Sequence, residues 1–265
     1  MDRRRFLHTS VAVAGLMIGA RPAVAQIGNL NAAINESGRQ RMLSQRLAKA
    51  YLQVGQGIDT IRSKRVMQES MSLFENQLSE LKAFAPSPEN KAVLADMDKT
   101  WRGFKSVLTA QTPNQRDARS VMAISDEVLM LAQSATMQLE KLSGTATARL
   151  VNLAGRQRML SQRMAKFYQA LNWGAAPADA VASLGKARDE FVAALAELAA
   201  SPKNTAAITQ EIEIARLQWY FFNQALIVRP ADAAEARRFA ENVATTSERI
   251  LEVMDTLTGL YQQLA

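Results

Sequence analysis

Cysteine is absent from the 265 residues, and the single histidine, His8, lies close to the start. Past residue 25 the chain therefore offers neither a thiol nor an imidazole. This removes Ser-His and Cys-His catalysis, thiolate metal sites and His-based metal sites together. A carboxylate di-metal bundle also fails, because it wants Glu-x-x-His on facing helices. The remaining Asp, Glu, Lys, Ser and Tyr residues form no recognisable catalytic constellation, so neither an enzyme nor a cofactor is expected. The lack of cysteine fits an oxidising compartment. Aromatic residues make up only 6% of the chain. Basic residues exceed acidic ones by 7, and by 4 once the first 25 residues are set aside. So small an excess suits small anions or acidic surfaces and argues against nucleic acid. Proline is missing from Ile27 to Phe84 and from Asn114 to Ala176, which leaves room for long helices. No strand-period alternation of useful length is found.

What is present is a duplication. Gly38 to Arg46 reads GRQRMLSQR, and the same nine letters return at Gly155 to Arg163. Asn35 is answered by Asn152, and Leu47-Ala48-Lys49 by Met164-Ala165-Lys166. A self-match of this kind marks duplicated supersecondary units. On a helix, Leu43, Leu47, Ala50 and Val54 form an apolar core stripe. Beside it run Ile34, Gly38, Arg41, Gln45, Ala48 and Leu52, with coiled-coil spacing but with Gly and Arg where a seam wants Leu. Gly38 admits a close backbone approach. Arg41 then sits in a drying seam, where a guanidinium cannot shed its proton. It needs a carboxylate or a bound anion, because an unpaired buried charge costs several kcal/mol. Two such helices face to face bring Arg41 and Arg158 together, and they repel unless an oxyanion lies between them. Arg presents a planar fork suited to trigonal or carboxylate-like anions. Spacing alone leaves two readings of Arg41 and Arg158 open, ligand-binding and structural. Arg39, Arg46 and Lys49 fall on another side and read as a solvated basic face.

The stretches Ile34 to Arg46 and Val151 to Arg163 resemble the P-box of NarX-type nitrate/nitrite sensors. They are more similar still to the N-terminal domain of PilJ-type pilus chemotaxis transducers. In both families a motif of the form I-N-x-A-G-x-x-R-M-x-S-x-R lies on the first helix of a periplasmic four-helix bundle. The resemblance implies Arg41 and Arg158 as the anion ligands, with Gly38 and Gly155 shaping the approach. Ser44, Ser161, Gln45 and Gln162 are neighbouring donor candidates. Arg39-Gln40 and Arg156-Gln157 depart from the nitrate sensors, which carry small or apolar residues there.

Residues 1–25 read as an export signal. Asp2-Arg3-Arg4-Arg5-Phe6-Leu7-His8 resembles a twin-arginine signal. A short apolar stretch from Val11 to Gly19 follows, then Ala23-Val24-Ala25 as a cleavage site. The stretch falls short of the roughly 20 residues that cross a membrane. Cleavage after Ala25 and a periplasmic location are the expectation.

The punctuation predicts four helices per repeat. The first runs from about Gly28 to Gly55-Gln56-Gly57, and the second from Asp59 to Phe84, with Met67, Met71, Phe74, Leu78 and Leu81 on one side. Ser87-Pro88 starts a third, which carries Trp101 and Phe104 and ends near Thr112-Pro113. The fourth ends at Ser143-Gly144 with Val121, Ile124, Val128, Leu131, Ala135 and Leu142 inward. In the second repeat Asn172-Trp173-Gly174 stops the first helix, and Pro177 and Asp179 open the next, with Leu184, Phe191, Leu195 and Leu198 inward. Ser201-Pro202 opens the third, with Trp219 and Phe222, and Arg229-Pro230 ends it. The last runs from about Ala231 with Val243, Ile250, Met254, Leu257 and Leu264 inward. Gly144 leaves one choice open. It either ends a helix in a tight turn with Thr145 or Thr147 capping the next, or it lies inside an unbroken helix from Asp117 to Asn172. A turn folds the motif helices together within one chain. A continuous helix leaves each Arg to seek its partner in a second chain of a homodimer.

The expected architecture is all-α, two tandem antiparallel four-helix bundles after the export signal. The expected repeats are residues 26–143 and 144–265. The expected function is a periplasmic sensory protein that binds a small oxyanion, nitrate or nitrite first, and passes occupancy to a membrane sensor or transporter. The alternative is a structural or adaptor bundle that binds a protein partner, with the arginines meeting acidic side chains across a closed seam.

Overall fold

The structure, a computed structural model, describes residues 27–228 and 230–264. The export signal expected at 1–25 lies outside the described residues. Eight helices follow in order among them: α1 Leu30–Gln56, α2 Thr60–Phe84, α3 Pro88–Thr109, α4 Gln115–Ser143, α5 Ala146–Trp173, α6 Ala180–Ala199, α7 Ala206–Ile227 and α8 Ala233–Gln262. The fold is all-α, a tandem pair of helical bundles.

Local chemistry sets the boundaries. Side chains of Asn29, Ser87, Asn114, Thr145, Thr205 and Asp232 each accept a backbone N–H from the first turn of the next helix. α1 and α5 both end on a left-handed glycine, Gly57 and Gly174. The choice at Gly144 resolves as the turn: its φ of 62° ends α4, and Thr145 accepts from Ala148 N at 3.1 Å to start α5. One expected start is displaced. Ser201-Pro202 lies in a turn, and α7 begins at Ala206 behind the Thr205 cap. Asn204 holds that turn, donating to Leu198 O at 2.8 Å while accepting from Tyr261 Oη at 2.7 Å.

The turn lays α1 and α5 side by side, running in the same direction. Gln56 Nε2 of α1 donates to Gln169 O of α5 at 3.1 Å, and at the other end Arg158 reaches Asn35. These motif helices are the centre of the molecule. α4 packs on α1 and α8 on α5, with α2, α3, α6 and α7 outside. Both stripes expected on α1 are buried, including Leu43, Leu47, Ala50 and Val54. Each repeat stacks its own aromatic trio: Phe74 on Trp101 at 4.1 Å with Phe104 edge-on, and Phe191 on Trp219 at 4.5 Å with Phe222 edge-on. One expected core residue is not inside: Leu142 is 55% exposed at the end of α4. No described helix is long and apolar enough to cross a membrane.

Candidate functional site

The glycines of the repeated motif make room for its arginines. A Cβ on Gly38 would stand 2.9 Å from Arg41 Nη2 and 3.7 Å from Arg158 Nη2. A Cβ on Gly155 would stand 3.2 Å from Arg158 Nη2 and 3.5 Å from Arg41 Nη2. Both guanidinium ends therefore converge on the two bare backbones at the α1–α5 contact. Both side chains are fully buried. The reason for the Gly-x-x-Arg spacing is steric: one turn of helix places the guanidinium over its own glycine.

The two arginines then meet different company. Arg158 Nη1 pairs with the Asp255 carboxylate on α8. Its Nη2 donates to Asn35 Oδ1 at 2.7 Å and Asn35 O at 3.1 Å. Arg41 Nη1 donates to the neutral Gln133 Oε1 at 2.6 Å, on α4. Its Nη2 reaches Asn152 O at 3.3 Å and its Nε reaches Gly38 O at 3.4 Å. Among the described residues no carboxylate pairs with Arg41. Gln133 and Asp255 hold the same place in the two repeats, as Ser125 and Ser247 show by accepting from Gln45 and Gln162 at 3.0 and 2.9 Å. Burial, Arg156 and Arg158 together push Arg41 down to about 9. Burial and Arg39 push Arg158 down to about 10 against the support of Asp255. Both stay charged at neutral pH. Arg41 thus hydrogen-bonds neutral acceptors only, with Glu140 and Glu190 supporting its charge from beyond ion-pair distance, while on Arg158 the Nε is buried without a partner.

Between the buried arginines and the surface of α4 stands Gln133, the acceptor of Arg41 Nη1. That residue lines a groove of about 400 Å³ with Leu129, Arg156, Met159, Lys186 and Glu190, between α4 and α6 over α5.

The other motif residues do different work. Ser44 and Ser161 donate to the carbonyls of Arg41 and Arg158, both at 2.8 Å, and do not point toward the guanidinium ends. Gln45 and Gln162 tie α1 to α4 and α5 to α8, and Gln162 Oε1 also accepts from Lys49 Nζ at 2.6 Å. The expectation of a solvated basic face at Arg39, Arg46 and Lys49 is overturned. Lys49 is 1% exposed and pairs with Glu248 of the opposite repeat, where Arg46 also pairs. Its counterpart Lys166 pairs with Asp126 at 2.7 Å, again across the repeats. Arg39 pairs with Asp255 at 2.7 Å. The face reads as basic in the sequence because its acids lie on α4 and α8. No signal within the nine letters points to Gln133, Asp255, Asp126 or Glu248. The Lys at matching positions of both copies was the one available hint of a buried partner.

The family model for the type IV pili methyl-accepting chemotaxis transducer N-terminal domain matches twice, over residues 23–133 and 138–246. The chain belongs to this family. The two matches make it a tandem pair of PilJ domains, and PilJ domains are sensory modules of chemotaxis signalling. No curated protein sequence matches the chain. No solved structure matches it. Each PilJ match contains one whole copy of the motif, so the buried arginine pair joins one PilJ domain to the other.

Proposed function

We propose that this tandem PilJ protein is an exported receptor for one small oxyanion, nitrate or nitrite first, held at Arg41. The single observation that carries the reading is a fully buried guanidinium with no carboxylate in ion-pair contact among the described residues, beside a pseudo-equivalent guanidinium that has one. A buried charge left on neutral acceptors costs several kcal/mol, and a planar anion on the Arg fork relieves that cost. Arg158 stands close enough to add a second fork from the α5 side. Gln133 is the side chain that yields as the anion enters from the groove, since it both bonds Arg41 and lines the open face. Occupancy changes the repulsion between α1 and α5, and so the contact between the two PilJ domains. A membrane sensor or transporter reads that change. The export signal expected at 1–25 supports a periplasmic location, where such a receptor meets its anion.

The test is calorimetry on the full chain with nitrate, nitrite, sulfate and acetate, repeated on Arg41→Ala and Arg158→Ala. The expected result is one anion per chain, with binding abolished by Arg41→Ala and weakened by Arg158→Ala. No heat with any of the four anions would sink the receptor reading. Binding that survives both substitutions would remove these residues from it.

A second reading has its own observation. Arg158 meets Asp255 in a closed seam, as an adaptor bundle with purely structural arginines requires. On that reading Arg41 is the strained half of a packing device, and the groove over α5 receives a protein rather than an anion. The same titration separates the two.

A further inference from the structure

α7 is apolar on two opposite sides. Its inner side carries Ile208, Ile212, Ala215, Phe222 and Leu226 into the core. Its outer side carries Ile214, Leu217, Tyr220 and Phe221 to the surface, the last three 55%, 58% and 50% exposed. Large exposed apolar side chains grouped on one side of a helix, here interrupted by Glu213, mark a contact site.

The molecule supplies its own comparison. α3 holds the place of α7 in the first repeat, is likewise 22 residues long and aligns on Trp101 with Trp219. Where α7 exposes Ile214, Leu217, Tyr220 and Phe221, α3 exposes Asp96, Lys99, Arg102 and Gly103. The neighbouring helix differs in the same sense. Glu75 of α2 accepts from the Trp101 indole at 3.2 Å and pairs with Lys105 at 2.6 Å, whereas α6 shows Val192 at that place, 49% exposed. The fold does not require an apolar outer face, because the other copy of the same unit does without one.

We propose that this face of α7 binds a second copy of the chain across a two-fold axis near Phe221. Both halves of a complementary surface lie on one helix pair. A groove of about 260 Å³ between α7 and α8, lined by Phe221, Ala225, Val228, Phe239, Thr246 and Arg249, lies beside the exposed ridge. Two α7 helices crossing antiparallel put the Leu217 of one copy over the groove of the other. Charge follows the same axis. Glu211 lies toward the start of α7, beside a Glu213 already paired with Arg216 at 2.7 Å, while Arg249, exposed and without an ion-pair partner among the described residues, flanks its far half. An antiparallel crossing brings Glu211 of each copy toward Arg249 of the other. Such an isologous contact closes on itself as a dimer. It does not use the α1–α5 seam, which is already filled within the chain.

The test is sedimentation equilibrium on the full chain and on a variant given the α3 face, with Ile214→Asp, Leu217→Lys and Tyr220→Arg. The wild type is expected to sediment as a dimer at micromolar concentration, and the variant as a monomer with unchanged helical content. Since the chain has no cysteine, a single Phe221→Cys can cross-link only to another copy. It is expected to form a disulfide dimer under mild oxidation. Gly103→Cys, the matching place on α3 where a side chain meets open space, is expected not to. A monomeric wild type, a dimer that survives the transplanted face, or equal cross-linking from both positions would each overturn the proposal. So would a monomer that instead binds phospholipid vesicles through these residues, since a membrane would then be the occupant.

Discussion

Gln133 ends in a neutral amide and Asp255, one methylene shorter, in a carboxylate, and that difference decides what each buried arginine meets. Gln133→Asp gives Arg41 the carboxylate that Arg158 already has. Stability is expected to rise by about 1.5–3 kcal/mol, the usual worth of a hydrogen bond to a charged group, read as a higher melting temperature. Anion binding is expected to vanish, because the new carboxylate occupies the fork. A variant that melts higher and still binds nitrate would place the anion elsewhere. Arg41, Arg158 and their glycines were legible in the sequence, because identity between two copies picks them out. Gln133 and Asp255 were not. They stand 92 and 97 residues beyond their arginines, on helices where the copies have diverged.

At the scale of the element, α1 and α5 are surrounded on all sides, so even their long cationic residues need partners inside. Lys49 finds Glu248 of α8, whose carboxyl is held down to about 2 by Lys49 and Arg46 against its own burial. The ordinary value for such a carboxyl is 4.5. A depressed acid contributes stability above its unfolded value and loses it as pH falls through its folded value. Thermal melts between pH 4.5 and 2 are therefore expected to fall steeply for the wild type and less steeply for Glu248→Gln. At pH 7 the same variant strands Lys49 and is expected to lose about 3–5 kcal/mol. Equal pH slopes for the two proteins would dismiss the Glu248 anchor. A different clash limits the far end of α1. A Cβ on Gly55 would lie 2.1 Å from the Trp173 ring of α5. In an exposed helix Gly→Ala would gain up to about 1 kcal/mol. Here Gly55→Ala is expected to lose about 1–3 kcal/mol by overpacking, measured by urea unfolding. The stops at Gly57 and Gly174 were readable in advance, since each is a glycine closing an apolar period, whereas Gly144 left a turn and an unbroken helix both open. The later start of α7 was not, because Ser201-Pro202 resembles a start signal and only the contact of Asn204 with Tyr261 shows that it is a turn.

The two repeats are separate in sequence but not in packing. α1 belongs to the first repeat and is covered by α4 on one side and α5 on the other. The ion pairs cross in the same way, with Lys49 to Glu248 and Lys166 to Asp126 each tying one repeat to the other. Periodicity and caps made eight helices legible, but not their arrangement, which hung on whether a lone glycine at 144 breaks the helix. With the break made, neither repeat owns a complete core. Residues 26–144 alone would present Arg41, Lys49 and the bare backbone of Gly38 to water on a face otherwise lined by Ala48 and Leu52. That half must either unfold or cover the face with the α1 of another copy. The whole chain is thus expected to melt in one transition, with calorimetric and van't Hoff enthalpies equal. The 26–144 fragment is expected never to appear as a folded monomer by sedimentation and circular dichroism. Two separate transitions in the whole chain, or a monomeric fragment with native helicity, would mean that the PilJ domains fold independently. The buried arginine pair would then be a docking contact between finished domains rather than part of one shared core.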